Sequence, residues 1–112
     1  MKVVLVTGGF DPLHSGHISY FKEAKKLGDR LVVGLNSDEW LTRKKGKPFM
    51  PIQERVEIIR NLKMVDDVLT WDDSDDSASG AIYKLMATSG YNKDIVFANG
   101  GDRTDKNIPE MS

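Results

Sequence analysis

Cysteine is absent from all 112 residues. That excludes disulfides, thiolate metal ligands and a cysteine nucleophile, and it accords with a reducing, cytoplasmic location. An excess of one charge is lacking too: 16 Lys and Arg face 17 Asp and Glu, a net charge of -1. Without a basic field the chain is not expected to hold nucleic acid, so a nucleotide partner would be a small molecule. Long hydrophobic runs are missing. The apolar stretch in MKVVLVTGGF is too short for a signal peptide or a bilayer span, and no membrane partner is expected. Neither GxxxxGK[ST] nor GxGxxG stands at the first turn, so P-loop hydrolysis and dinucleotide redox chemistry lose their usual sequence support. With no internal repeat and a hydrophobic content of 39%, residues 1–112 read as a single domain.

What the chain does contain is an alternation of strand-like and helix-like segments. Val3 to Val6, Leu31 to Leu35 and Val65 to Leu69 read as strands, and Ile18 to Leu27 and Ile52 to Leu62 as helices. Ile18, Phe21, Ala24 and Leu27 mark the apolar face of the first helix, and Ile52, Val56, Ile59 and Leu62 that of the second. A third helix is predicted over Ala78 to Thr88, with Ile82, Leu85 and Met86 inward and Gly90 ending it, followed by a strand at Ile95 to Ala98. Continuously apolar strands alternating with helices predict an α/β fold: a Rossmann-like open parallel sheet with helices on both faces. The acidic run Asp72 to Asp76 reads as a solvated loop and helix start.

In such sheets ligands sit beyond the carboxyl ends of the strands, where the strand order reverses. Three polar, glycine-containing turns should meet there: Gly8 to His17, Asn36 to Lys47 and Asn99 to Arg103. In the first, GGFDPLHSGH puts His14 and His17 at the start of a helix, where backbone N–H groups and the helix dipole favour an anion.

This decapeptide resembles the GxFDxxHxGH signature of the cytidylyltransferase-like nucleotidyltransferases. LGDRLVVGLNSDE, RKKGKP, PIQERVEII, VDDV and NGGD follow in that family's order, so the likeness covers most of the chain. It is of the glycerol-3-phosphate cytidylyltransferase or heptose-phosphate adenylyltransferase type. The resemblance implies transfer of a nucleoside monophosphate from CTP or ATP to a phosphorylated small alcohol or sugar, with release of pyrophosphate and help from Mg2+. CMP is the favoured group. The likeness further implies a homodimer.

The resemblance assigns His14 and His17 to the phosphate oxygens of the nucleotide, as donors and not as nucleophiles. Lys44 or Lys45, on the basic turn, would bridge the phosphates of the two substrates, with Lys44 the first choice. Gly9 and Phe10 are expected at the nucleotide, glycine permitting close backbone approach and the aromatic ring fixing the turn. For Asp11 a structural role and a magnesium-binding role both stand open. Arg55 is expected to bind phosphate or to form a structural ion pair. Lys63 is a further nucleotide-binding candidate, Asp38 a candidate for the acceptor, and Gly100, Gly101 and Asp102 candidates for the base and ribose.

Relatives continue into a further strand and an ISTT-like segment that this chain, ending at Ser112, does not contain. The carboxyl-terminal part is therefore expected to be truncated. Two other readings stand beside the transferase: a catalytically impaired nucleotide-binding module, and a zinc hydrolase using Asp11, His14 and His17.

Overall fold

The strands of this protein form around apolar, β-branched runs. The computed structural model describes residues 2–75, 79–89 and 95–98. Its elements are β1 (Val3–Gly8), α1 (Ser15–Lys25), β2 (Arg30–Leu35), α2 (Asp38–Lys45), α3 (Ile52–Arg60), β3 (Asp67–Thr70), α4 (Ser79–Ser89) and β4 (Ile95–Phe97). All strand pairs are parallel, in the order β3-β2-β1-β4. The fold is the expected Rossmann-like α/β sheet. The chain steps outward from β1 through β2 to β3, then crosses back to place β4 on the other side of β1. The order reverses between β1 and β4.

That reversal decides where the helices go. Parallel crossovers are right-handed, so a change of direction across the sheet moves the connecting helix to the opposite face. Alternation along β1 serves both layers. Val4 and Val6 join Phe21 and Ala24 of α1 and Ile59 of α3 in one core cluster. Val3 and Leu5 face the other way and pack with Trp71 and with Ala81 and Leu85 of α4.

Some side chains sit elsewhere than their spacing predicts. Leu27 lies past the last turn of α1 and is exposed, and Met86 is exposed on α4, where Ala81 and Leu85 are buried. Residue Gly90 and the turn at Asn99 to Arg103 lie outside the described residues. The segment predicted as a polar turn, Asn36 to Lys47, is mostly the helix α2. Its signals are local: Ser37 as N-cap accepting from the Trp40 amide, Asp38 and Glu39 in the first turn, Arg43, Lys44 and Lys45 in the last, and Gly46 beyond at φ 99°. The acidic run is not uniformly solvated either. Asp73 is buried, its carboxylate accepting from Asn36 Nδ2 at 3.0 Å and from the amide and hydroxyl of Ser37 at 2.8 and 2.7 Å.

Arg55 joins the loops at the carboxyl end of the sheet. Its side chain is 0% exposed. Nε donates to the Met50 carbonyl at 2.9 Å, one terminal nitrogen donates to the carbonyls of Gly9 and Asn36 at 2.9 and 2.7 Å, and the other meets Asp38 Oδ1 at 2.7 Å. Arg55→Met is expected to lower the unfolding free energy by about 3–5 kcal/mol, because it strands these acceptors inside the protein. Asp38→Asn removes the counter-charge of a buried guanidinium but keeps an acceptor at a site 35% exposed, so it should cost less, about 1–3 kcal/mol. Urea unfolding of the two variants checks the ranking.

Candidate functional site

The turn leaving β1 is built from unusual backbone. Phe10 has φ 53°, in the left-handed region that non-glycine residues seldom occupy, and the Asp11–Pro12 peptide is cis. The turn folds the buried Phe10 ring back under the sheet end, where it lies edge-on to His17 and to Phe21, each at a centroid distance of 5.2 Å. A side chain at Gly8 would place its Cβ 3.0 Å from this ring.

His14 then starts α1 as its N-cap. Its Nδ1 accepts from the Gly16 amide at 3.0 Å, and Nδ1 of His17 accepts from the His14 amide at 3.2 Å. Each imidazole closes an otherwise unpaired helix amide. An Nδ1 that accepts a hydrogen bond carries no proton, so both neutral rings have their proton on Nε2. The rings lie 4.1 Å apart, tilted by 32°. The glycine of the HSGH motif has a steric reason: a Cβ on Gly16 would stand 2.8 Å from His14 Cε1.

This arrangement modifies the expected source of the anion-binding donors. The amides of Gly16, His17 and Ile18 are already directed at His14, through its ring or its carbonyl. The groups left to meet an anion include the two Nε2–H donors. The first turn of α1 has no acidic residue to offset the dipole. A cleft of about 620 Å3 opens here, lined by Thr7, Gly8 and Gly9 and by His14, His17, Tyr20 and Glu23. It lies at the reversal of strand order, and Tyr20 ties α1 to the end of β4 by donating to the Ala98 carbonyl at 3.1 Å.

Asp11 faces away from this cleft. Its side chain is 1% exposed. It accepts from the amides of Phe49 and Met50 at 2.7 and 2.6 Å and pairs with Lys45 at 3.0 Å. Burial alone would raise its pKa, but the hydrogen bonds from Lys45, Phe49 and Met50 outweigh it and hold the carboxyl below its ordinary value. Of the two roles open for Asp11, the structure has the structural one. Among the described residues no group of three or more His, Cys, Asp or Glu could hold a metal ion. The set Asp11, His14 and His17 is not assembled for zinc.

Other candidates also separate. Arg55 takes the ion-pair role: buried under the turns, it presents nothing to a phosphate. Asp38 is its partner and also accepts from the Ile52 amide at 3.3 Å. Lys45 donates to the Asp11 carbonyl at 2.6 Å and stands 4.8 Å over the Phe49 ring, whereas Lys44 stands 5.4 Å over the Trp40 ring. Lys63 follows α3, which runs back along the sheet, so it lies near the start of β2, where Asp66 accepts from the Leu31 amide. That is the end of the sheet opposite the cleft, and a role for Lys63 at the triphosphate is not supported. Gly100, Gly101 and Asp102 lie outside the described residues. Asn36 and Asp73, which brace the loops of the site, carry no local sequence signal: their pairing spans 37 positions.

Among known proteins, a family model described as cytidylyltransferase-like matches residues 5–106. The Bifunctional protein HldE of Citrobacter koseri and that of Klebsiella pneumoniae are each 38% identical over 112 residues, covering 90% of this chain and 24% of theirs. The chain thus spans about a quarter of the length of these curated relatives. The crystal structure of the lipopolysaccharide core biosynthesis protein from Thermoplasma volcanium GSS1 superposes with a TM-score of 0.66 at 36% identity, covering 77% of this chain and 66% of that one.

Burial first, and the neighbouring His14 second, push the His17 pKa below its ordinary 6.5. In the interval between the depressed folded value and 6.5 the unfolded chain binds more protons, so stability rises with pH there. The contribution is complete above pH 6.5 and is lost as pH falls through the folded value. Urea midpoints measured from pH 7.5 down to about pH 5 should fall for the native chain and fall less for His17→Asn, which can still cap but does not titrate. Parallel pH curves would show that His17 has no part in the dependence.

Proposed function

Because this chain belongs to the cytidylyltransferase-like family, we propose that it transfers a nucleoside monophosphate from CTP or ATP to a phosphorylated small alcohol or sugar. One observation carries the reading: two neutral imidazoles, fixed by helix capping in the Nε2–H form, stand side by side over the cleft at the reversal of strand order. A phosphate monoester is already an anion and needs no strong base. In the proposed reaction an acceptor phosphate oxygen bonds to the α-phosphorus, the bond from that phosphorus to the α,β-bridging oxygen breaks, and pyrophosphate leaves with the electron pair. Charge spreads over the phosphate oxygens, and fixed donors stabilise it without reorganising. When bound, Mg2+ would supply charge neutralisation at the triphosphate.

CMP transfer from CTP is the leading assignment and AMP transfer from ATP the alternative. Similarity to a lipopolysaccharide core biosynthesis protein supports a sugar phosphate as acceptor in either case. The homodimer belongs to the same proposal. Light scattering should give twice the chain mass of 12.5 kDa, and a monomeric mass would count against it.

The test is a pyrophosphate-release assay crossing CTP and ATP with glycerol phosphate, ethanolamine phosphate and heptose phosphate. Turnover is expected with one nucleotide, and His17→Ala should lower kcat by about 10²–10³. Gly16→Ala should also lower kcat, because its methyl displaces the His14 ring. Saturable nucleotide binding with no turnover for any pair would select the impaired binding module instead.

A further inference from the structure

We propose that Trp40 sets the acceptor specificity, its indole receiving the ring of a sugar phosphate whose phosphate meets Lys44, the lysine that the family resemblance already assigns to the substrate phosphates. The inference rests on the nucleotidyl-transfer reading, since it supplies the second substrate of that reaction.

Trp40 occupies the first turn of α2, where its amide is held by Ser37 Oγ at 3.0 Å. Its Cζ3 lies 3.7 Å from the point where a Cβ of Gly9 would stand. The indole therefore abuts a residue that also lines the nucleotide cleft. The ring is half-buried, and its N–H meets no hydrogen-bond acceptor among the described residues. The other tryptophan, Trp71, is buried in the core. An indole with an accessible face and a donor beside a phosphate site suits a sugar ring, which has an apolar C–H face and hydroxyl acceptors.

The two lysines differ in what they are free to do. Lys45 is anchored to Asp11 through both its carbonyl and its carboxylate. Lys44, one turn after Trp40, rests over the indole at 5.4 Å and makes no ion pair among the described residues. A cation over an exposed ring is held weakly, whereas charge-assisted hydrogen bonds to a phosphate are strong. An arriving phosphate draws Lys44 off the indole and uncovers the face for the sugar.

Tryptophan fluorescence of the full chain, titrated with a pyranose 1-phosphate, glycerol 3-phosphate and inorganic phosphate, reads this directly. The pyranose phosphate should give a saturable change at a concentration about tenfold lower than glycerol 3-phosphate. Trp40→Phe should keep part of that preference, measured by calorimetry, and Trp40→Ala should lose it. Lys44→Gln should weaken all three ligands alike. Equal affinity for the pyranose and glycerol phosphates, or an undiminished preference in Trp40→Ala, would overturn the subsite. In the pyrophosphate assay, an unchanged acceptor KM in Trp40→Ala would sink the subsite and leave nucleotidyl transfer standing. Sugar-phosphate binding without turnover in any combination would do the reverse.

Discussion

A single buried guanidinium organises the end of the sheet where the chemistry is placed. Parallel strands that stop side by side leave carbonyl groups facing loops instead of partners, and such groups must be paired if water is excluded. Arg55 meets this need at three places, donating to the carbonyls of Gly9 after β1, Asn36 after β2 and Met50 before α3, while Asp38 compensates its charge. The fork geometry of arginine makes the arrangement possible, since a lysine ammonium could not span acceptors in so many directions. The position of the β1 turn, and with it the histidine pair, follows from this attachment.

Asp11 and Asp73 extend the same principle to the neighbouring loops. Each carboxylate is buried and each accepts from backbone amides distant in sequence: Asp11 from residues 49 and 50, Asp73 from Ser37. Carboxylates used in this way act as braces. The cleft then offers an anion neutral hydrogen-bond donors instead of a cluster of surface cations, which a chain with a net charge of -1 can supply. The local donors include two imidazole Nε2–H groups, and their tautomer is a by-product of capping α1. One pair of hydrogen bonds serves both the helix and the site.

The physical consequence is that stability and chemistry are coupled at His17. Protonation would convert its Nδ1 from acceptor to donor, facing the His14 amide, and the burial that depresses its pKa opposes that event. Keeping the ring neutral preserves both the cap and the orientation of the Nε2 donor.

Much of this is legible in the amino-acid sequence. Apolar runs at residues 3–6 and 31–35 with intervening helical periodicity dictate a parallel α/β sheet, because strands buried on both faces cannot alternate polar and apolar residues. The GGFDPLHSGH segment marks the site, since its glycines and histidines act through contacts within ten positions. The signals for α2 were also present, in Ser37, the acidic first turn, the basic last turn and Gly46, although the density of polar residues suggested a loop. What only tertiary structure decided is which charged residues face inward. Arg55, Asp11 and Asp73 resemble surface charges in their local sequence, and their burial depends on partners 17 to 46 positions away. Lys63 was separated from the cleft because α3 runs antiparallel to the strands and carries its end to the opposite edge. Local sequence specifies the elements and a contiguous motif, whereas the pairing of buried charge is a property of how those elements meet.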